Sequence, residues 1–206
     1  MTEMPPVVHV VDDDSSFRNS VARLLRASGY QVALYESGEQ FLGSHAGEVP
    51  GCILLDLQLP GLDGLDLQSR LIAKDNILPI VFLTGHGDIP MSVRAIKAGA
   101  DDVLSKPVAR DDLLGAVERA LSKYSQLRQR RDGLNSMRAL VDSLTPRERE
   151  VFVLVVRGKM NKQIAGDLGT SERTIKAHRH AMMEKLKVQS LAEAVAIAER
   201  LGMLDT

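Results

Sequence analysis

Three carboxylates in succession, Asp12-Asp13-Asp14, stand immediately after the apolar run Val7-Val8-His9-Val10-Val11. A fourth, Asp56, closes Cys52-Ile53-Leu54-Leu55, and Thr84 closes Ile80-Val81-Phe82-Leu83. Lys106-Pro107 follows a short apolar stretch at 103–104. Carboxylates crowded together repel unless they are protonated or share a cation. A few hard oxygen ligands suit Mg2+, which keeps part of its water shell and accepts a phosphoryl oxygen. A lysine beside them neutralises a transferred phosphoryl group, and a threonine hydroxyl donates to another of its oxygens. Singly, each feature has an ordinary explanation, since Asp-rich turns serve as solvated caps and Lys before Pro is common in loops. Together, each after its own apolar run and in this order, they point to phosphoryl chemistry.

A second group of residues suits a polyanion. Successive helical residues turn by about 100°. With Ile175 at the origin of a helix over 172–186, Met182 and Leu186 form a buried stripe, while Arg173, Lys176, Ala177, His180 and Lys187 fall on the opposite side. Cations around a small alanine fit the major groove of DNA, where lysine reaches guanine acceptors or phosphate oxygens. His178 and Arg179 lie nearer the core edge by the same count and are expected to be structural or backbone-contacting. An ordinary solvated basic face has the same composition, so the context of this helix decides between the two.

The elements that must position these residues are legible from periodicity. Apolar runs at 7–11, 31–35, 52–55, 80–83 and 103–104 read as strands, and 16–27, 38–45, 64–73, 90–98 and 111–124 as helices between them. Repeated βα units of this length imply a parallel sheet covered on both faces, whose ligands bind beyond the carboxyl ends of the strands. Asp12, Asp56, Thr84 and Lys106 are then neighbours. Around 122–139 the core pattern fades into Gln126, Arg128, Gln129, Arg130, Arg131 and Asp132, a charged helical linker with a break expected near Gly133 and Asn135. Beyond it, Thr145-Pro146-Arg147-Glu148 combines a capping residue, proline at the first helical position and glutamate at the third. Helices are expected to about 156, over 162–168, from Ser171 to about 186, and from Ser190 to about 202. The expected domains are 1–125, a linker 126–141, and 142–206, an α/β domain followed by an all-α, four-helix one.

Composition agrees with two modules. The 206 residues have a net charge of -1, yet residues 1–125 carry 11 basic and 17 acidic side chains and residues 126–206 carry 15 and 10. The basic half is the candidate for a polyanion partner. Four Phe, three Tyr and no Trp exclude dense aromatic platforms for single-stranded nucleic acid. One cysteine excludes a disulfide framework and a thiolate-rich zinc site. Cys52 reads as a buried small hydrophobe, and His9, His45 and His86 have no metal-ligand spacing. No apolar run approaches the roughly 20 residues of a membrane span, and the N-terminus lacks a signal-peptide pattern. A cytoplasmic protein without a membrane partner is expected.

The stretches Val10-Val11-Asp12-Asp13-Asp14, Leu55-Asp56-Leu57-Gln58-Leu59-Pro60-Gly61-Leu62-Asp63-Gly64, Leu83-Thr84-Gly85-His86-Gly87-Asp88 and Lys106-Pro107 resemble the receiver domain of bacterial two-component response regulators. The resemblance implies a flavodoxin-like five-stranded sheet of order 2-1-3-4-5. It makes Asp56 the phosphoacceptor, with Asp12, Asp13, Asp56 and the Gln58 backbone carbonyl as the Mg2+ (or Mn2+) ligand set. Thr84 and Lys106 become sensors of the phosphoryl group, and the Lys106-Pro107 peptide is expected to be cis. One departure stands out. Many receivers carry an aromatic residue where this chain has Val103, and Val108 stands where Phe is common, so the ring rotation that relays phosphorylation has no ring.

Leu144-Thr145-Pro146-Arg147-Glu148-Arg149-Glu150-Val151, Asn161-Lys162-Gln163-Ile164-Ala165 and Thr174-Ile175-Lys176-Ala177-His178-Arg179-His180 with Lys185-Leu186 resemble the LuxR/NarL-type DNA-binding domain. It implies base reading by Lys176, Ala177 and His180, with Lys162, Arg173 and Lys185 on phosphates. The whole chain most resembles the FixJ subgroup. The implied partners are a sensor histidine kinase, double-stranded promoter DNA, a second copy on activation, and RNA polymerase. Phosphorylation of Asp56 is expected to act by dimerisation, by release of an inhibitory domain contact, or by both. An enzyme is not expected. An aspartyl-phosphate hydrolase needs an acid/base carboxylate two residues after its nucleophile, and that position is Gln58. The remaining rival is a receiver that answers to a partner or ligand instead. The intact Asp12, Asp13, Asp56, Thr84 and Lys106 set opposes it, and Val103 keeps it open.

Overall fold

The computed structural model describes residues 5–44, 49–85 and 89–204. His45 and the His86-Gly87-Asp88 part of the third receiver-like stretch lie outside them. By compactness the chain divides after Arg128.

The first unit holds β1 (Val7–Val11), α1 (Ser15–Ala27), β2 (Gln31–Tyr35), α2 (Gly38–Gly43), β3 (Gly51–Asp56), α3 (Gly64–Ala73), β4 (Ile80–Thr84), α4 (Ile89–Lys97) and β5 (Asp102–Ser105). All neighbouring strands are parallel, in the order β2-β1-β3-β4-β5. Side chains alternate across a strand, so an apolar run feeds both faces of the sheet. Ile53, Leu55, Ile80 and Phe82 pack with Phe41, Leu67, Leu71 and Ala95 of α2, α3 and α4. Cys52, Leu54, Val81 and Leu83 pack on the other face with Val21 and Leu25 of α1 and with Leu113, Ala116 and Val117. Cys52 is fully buried, and burial pushes its thiol up to about 12, which leaves it unreactive.

The helix bearing Leu113, α5 (Arg110–Asp142), is continuous over 33 residues. The break expected near Gly133 and Asn135 is therefore corrected. A single glycine costs a helix about 1 kcal/mol relative to alanine. Downstream, Met137, Leu140 and Val141 are anchored in the apolar core of the second unit and hold the helix past that point.

The second unit adds α6 (Pro146–Val156), α7 (Asn161–Asp167), α8 (Glu172–Leu186) and α9 (Leu191–Arg200). Thr145 and Glu148 form the reciprocal capping box that opens α6. Phe152, Val156, Met182, Leu186, Ala194 and Ile197 make one core cluster, and Val151, Val155, Ile164 and Ile175 a second. No helix among the described residues is long and apolar enough to cross a membrane.

The receiver-like unit gathers three aromatic rings beside β1. His9 is 1% exposed, its ring 5.9 Å from Tyr35 and 5.7 Å from Phe41, and its Nδ1 lies 3.2 Å from the Tyr35 hydroxyl. Burial pushes the imidazole down to about 4. The unfolded chain, with a His pKa near 6.5, takes up this proton first. Stability linked to His9 is thus full above pH ~6.5 and falls as pH drops toward 4, by ~3 kcal/mol at most. Urea unfolding of the first unit at pH 7 and pH 4.5 is expected to show a smaller acid loss in His9→Phe than in wild type. Equal losses in both proteins would remove His9 as the cause.

Candidate functional site

The acidic site is built at the carboxyl ends of β1, β3, β4 and β5. Asp12 ends the β1 run with its side chain fully buried, and Asp56 ends β3 at 6% exposure. Lys106 Nζ donates to Asp12 Oδ2 and to Asp56 Oδ2, each at 2.6 Å. It also lies 4.4 Å from the centroid of the Phe17 ring. Burial opposes the Lys106 ammonium, but its hydrogen bonds to the two carboxylates outweigh that and hold its pKa above the ordinary value. Burial pushes the Asp12 carboxyl up, against the pull of Lys106, and the nearby Asp56 charge adds to the rise.

Each neighbour has a separate duty. Asp13 is exposed, and one carboxylate oxygen from each of Asp12, Asp13 and Asp56 lies within 4.8 Å of the others. Three hard oxygens at that spacing are consistent with a divalent cation site. Asp14 caps α1, accepting from the Ser16 and Phe17 N–H groups at 2.8 and 3.2 Å. The ordinary explanation of an Asp-rich turn thus holds for this one of the three. The Gln58 N–H donates to Asp56 Oδ1 at 3.0 Å, bending the loop after β3 back over the carboxylate. Thr84 is 3% exposed at the end of β4, and its carbonyl accepts from the Lys106 N–H at 2.7 Å. The Lys106-Pro107 peptide is cis. Gly64 lets α3 begin against the same loop, since a Cβ there would stand 2.4 Å from the Asp56 carbonyl oxygen.

Sequence reasoning missed Arg18 and Phe17. Arg18 is 7% exposed, donates to the Asp12 carbonyl oxygen at 2.5 Å and reaches Glu36 at 3.4 Å. An arginine on the inward stripe of α1, among Val21, Ala22 and Leu25, was the available signal, because a charge is placed there only with partners.

On the helical unit, Arg173, Lys176, Ala177 and His180 are exposed on α8 and Lys162 is exposed on α7. Ile175, Met182 and Leu186 are buried behind them. His178 and Arg179 are half-buried, and Arg179 donates to Asn161 Oδ1 at 2.8 Å, tying α8 to the start of α7. Arg147 donates to the Leu168 carbonyl oxygen at 2.5 Å, holding the end of α7 to α6. Lys185 turns the other way, with Nζ 2.6 Å from Glu148 Oε2. That bond, with the Thr145 N–H, holds the Glu148 carboxyl below the usual range.

Two families match the chain: the response regulator receiver domain over residues 8–118, and the luxR family of bacterial regulatory proteins over residues 142–198. Nodulation protein W of Bradyrhizobium diazoefficiens is 43% identical over 197 residues, covering 96% of this chain and 87% of that protein. The transcriptional regulatory protein FixJ of the same organism is 38% identical, covering 96% of this chain and 97% of its own. Among solved structures, the response regulator StyR is 46% identical with a TM-score of 0.82, over 96% of this chain and 100% of that one.

Proposed function

Because the chain belongs to the two-component response regulators that join a receiver domain to a LuxR-type DNA-binding domain, we propose that phosphorylation of Asp56 by a sensor histidine kinase controls its binding to promoter DNA. The observation that carries this reading is the single lysine held between two buried carboxylates at three strand ends. An Asp56 carboxylate oxygen attacks the phosphorus of the kinase phosphohistidine, the P–N bond breaks, and the imidazole leaves with the electron pair. Lys106 then gives up one carboxylate contact and neutralises a phosphoryl oxygen, and the Thr84 hydroxyl donates to another. Asp12, Asp13 and Asp56, with the Gln58 backbone carbonyl, would hold Mg2+ (or Mn2+), which offsets charge on the phosphoryl oxygens.

The signal leaves through the α4–β5 surface, with no ring at Val103 to rotate. Val93 and Ile96 are 47% and 48% exposed there and border a cleft with Val103. Covering that apolar patch with a second receiver would pair two DNA-binding domains on adjacent half-sites. Lys176, Ala177 and His180 read bases, with Lys162, Arg173 and Lys185 as the phosphate-contact candidates given by sequence position. A regulator of this kind would act in the cytoplasm, with RNA polymerase as a candidate partner.

Sedimentation with Mg2+ and beryllofluoride tests the reading. Wild type is expected to shift from monomer to dimer and to bind a duplex more tightly. Beryllofluoride that never binds at Asp56 would overturn it in favour of a phosphorylation-independent regulator.

A further inference from the structure

The last turn of α8 holds two lysines with opposite circumstances. Lys185 is engaged: its ammonium bonds Glu148, whose side chain is only 8% exposed, so its charge and reach are directed into α6. On the helical wheel it also lies off the outward side shared by Arg173, Lys176 and His180. Lys187 is exposed, forms no ion pair with any described residue, and lies on that outward side.

Lys187 also occupies an unfavourable backbone position. It ends α8 with φ 56 and ψ 38, in the left-handed region where a Cβ crowds the following carbonyl. Gly29, Gly99, Gly158, Gly169 and Gly202 hold the positive-φ position after α1, α4, α6, α7 and α9, and Asp75 holds it after α3 at φ 52. At this helix end the chain keeps a long cationic side chain where glycine would sit without strain. Aspartate tolerates this region through its short polar side chain, whereas a lysine kept there retains strain that points to a use for that side chain.

Distance along the helix supplies the use. Lys187 lies eleven residues beyond Lys176, about 16 Å along the axis at 1.5 Å per residue. The major groove is about 12 Å wide. With Lys176 at base edges, a helix crossing the groove would bring its far end to the sugar–phosphate wall on the other side.

Resting on the reading of α8 as a DNA recognition helix, we propose that Lys187 is a DNA phosphate contact, clamping the C-terminal end of that helix, and that Lys185 is a positioning residue acting through Glu148. Lys187 adds no base discrimination and contributes equally on any sequence.

Fluorescence anisotropy of the full chain on an arbitrary-sequence duplex, across a salt series, tests this beside urea unfolding. Lys187→Gln and Lys187→Gly are each expected to weaken binding roughly five-fold and to lower the slope of log K against log salt by about 0.9. Lys187→Gly alone is expected to raise the unfolding midpoint, so that stability rises while affinity falls. Lys185→Met is expected to lower the midpoint and leave the slope at the wild-type value. Unchanged slopes in both Lys187 variants, or the same slope loss in Lys185→Met, would overturn the assignment. A wild-type chain that binds no duplex would overturn the DNA-binding reading itself, and this one with it.

Discussion

Asp56→Asn is expected to abolish phosphoryl uptake while leaving the receiver folded. Asparagine keeps the shape of a side chain 8% exposed and can still accept from the Gln58 N–H. It removes the nucleophilic carboxylate oxygen, for which an amide is no substitute. Lys106 retains Asp12 at 2.6 Å, so the partly buried ammonium keeps a carboxylate partner. The change in stability should stay within about 1–2 kcal/mol. Incubation with a small phosphodonor and Mg2+, read by intact-protein mass, is expected to show at least a hundredfold loss of incorporation. The dimer and the donor-dependent gain in DNA binding should disappear with it. Wild-type incorporation in Asp56→Asn would move the acceptor elsewhere, with exposed Asp13 the first candidate.

Lys106→Met is expected to have the largest effect on stability. It leaves a fully buried Asp12 carboxylate and an almost buried Asp56 carboxylate facing each other without their shared cation. Breaking a buried pair by removing one partner costs 3–5 kcal/mol, and protonation of one carboxylate relieves part of it, so about 3 kcal/mol is expected in chelator. Mg2+ should restore much of this in the variant and stabilise wild type less, because in wild type a cation is already between the carboxylates. Urea unfolding of both proteins with chelator and with Mg2+ reads the difference. Equal stability in chelator, or no metal dependence in either protein, would show that the lysine does not carry the charge balance of the site.

The sequence alone determined the elements and most of the site. Apolar runs of strand length between helical patterns made a parallel sheet, and that sheet placed Asp12, Asp56, Thr84 and Lys106 at one edge. Signals such as the Thr145–Glu148 box and the buried stripe of α8 were equally plain, since each is written in residues three or four apart. The Asp-Asp-Asp turn was only partly legible, because a cap and a ligand have the same side chain. Asp14 caps α1 while Asp12 is buried against Lys106.

Only the tertiary structure decided the pairings across long separations. Lys106 bridges to residues 94 and 50 positions away, Arg18 secures the Asp12 carbonyl, and Lys185 is drawn 37 residues back to Glu148. Sequence position marked Lys185 as a phosphate contact as strongly as Lys162 or Arg173, and only the packing of α6 against α8 shows where its charge is directed. The same holds for α5, whose glycine favours a break until the core beyond it holds the helix. Local preferences select an element from its neighbours in the chain. The partner of a buried charge is selected by which groups the packed elements bring within about 3 Å, where an unpaired ion costs several kcal/mol.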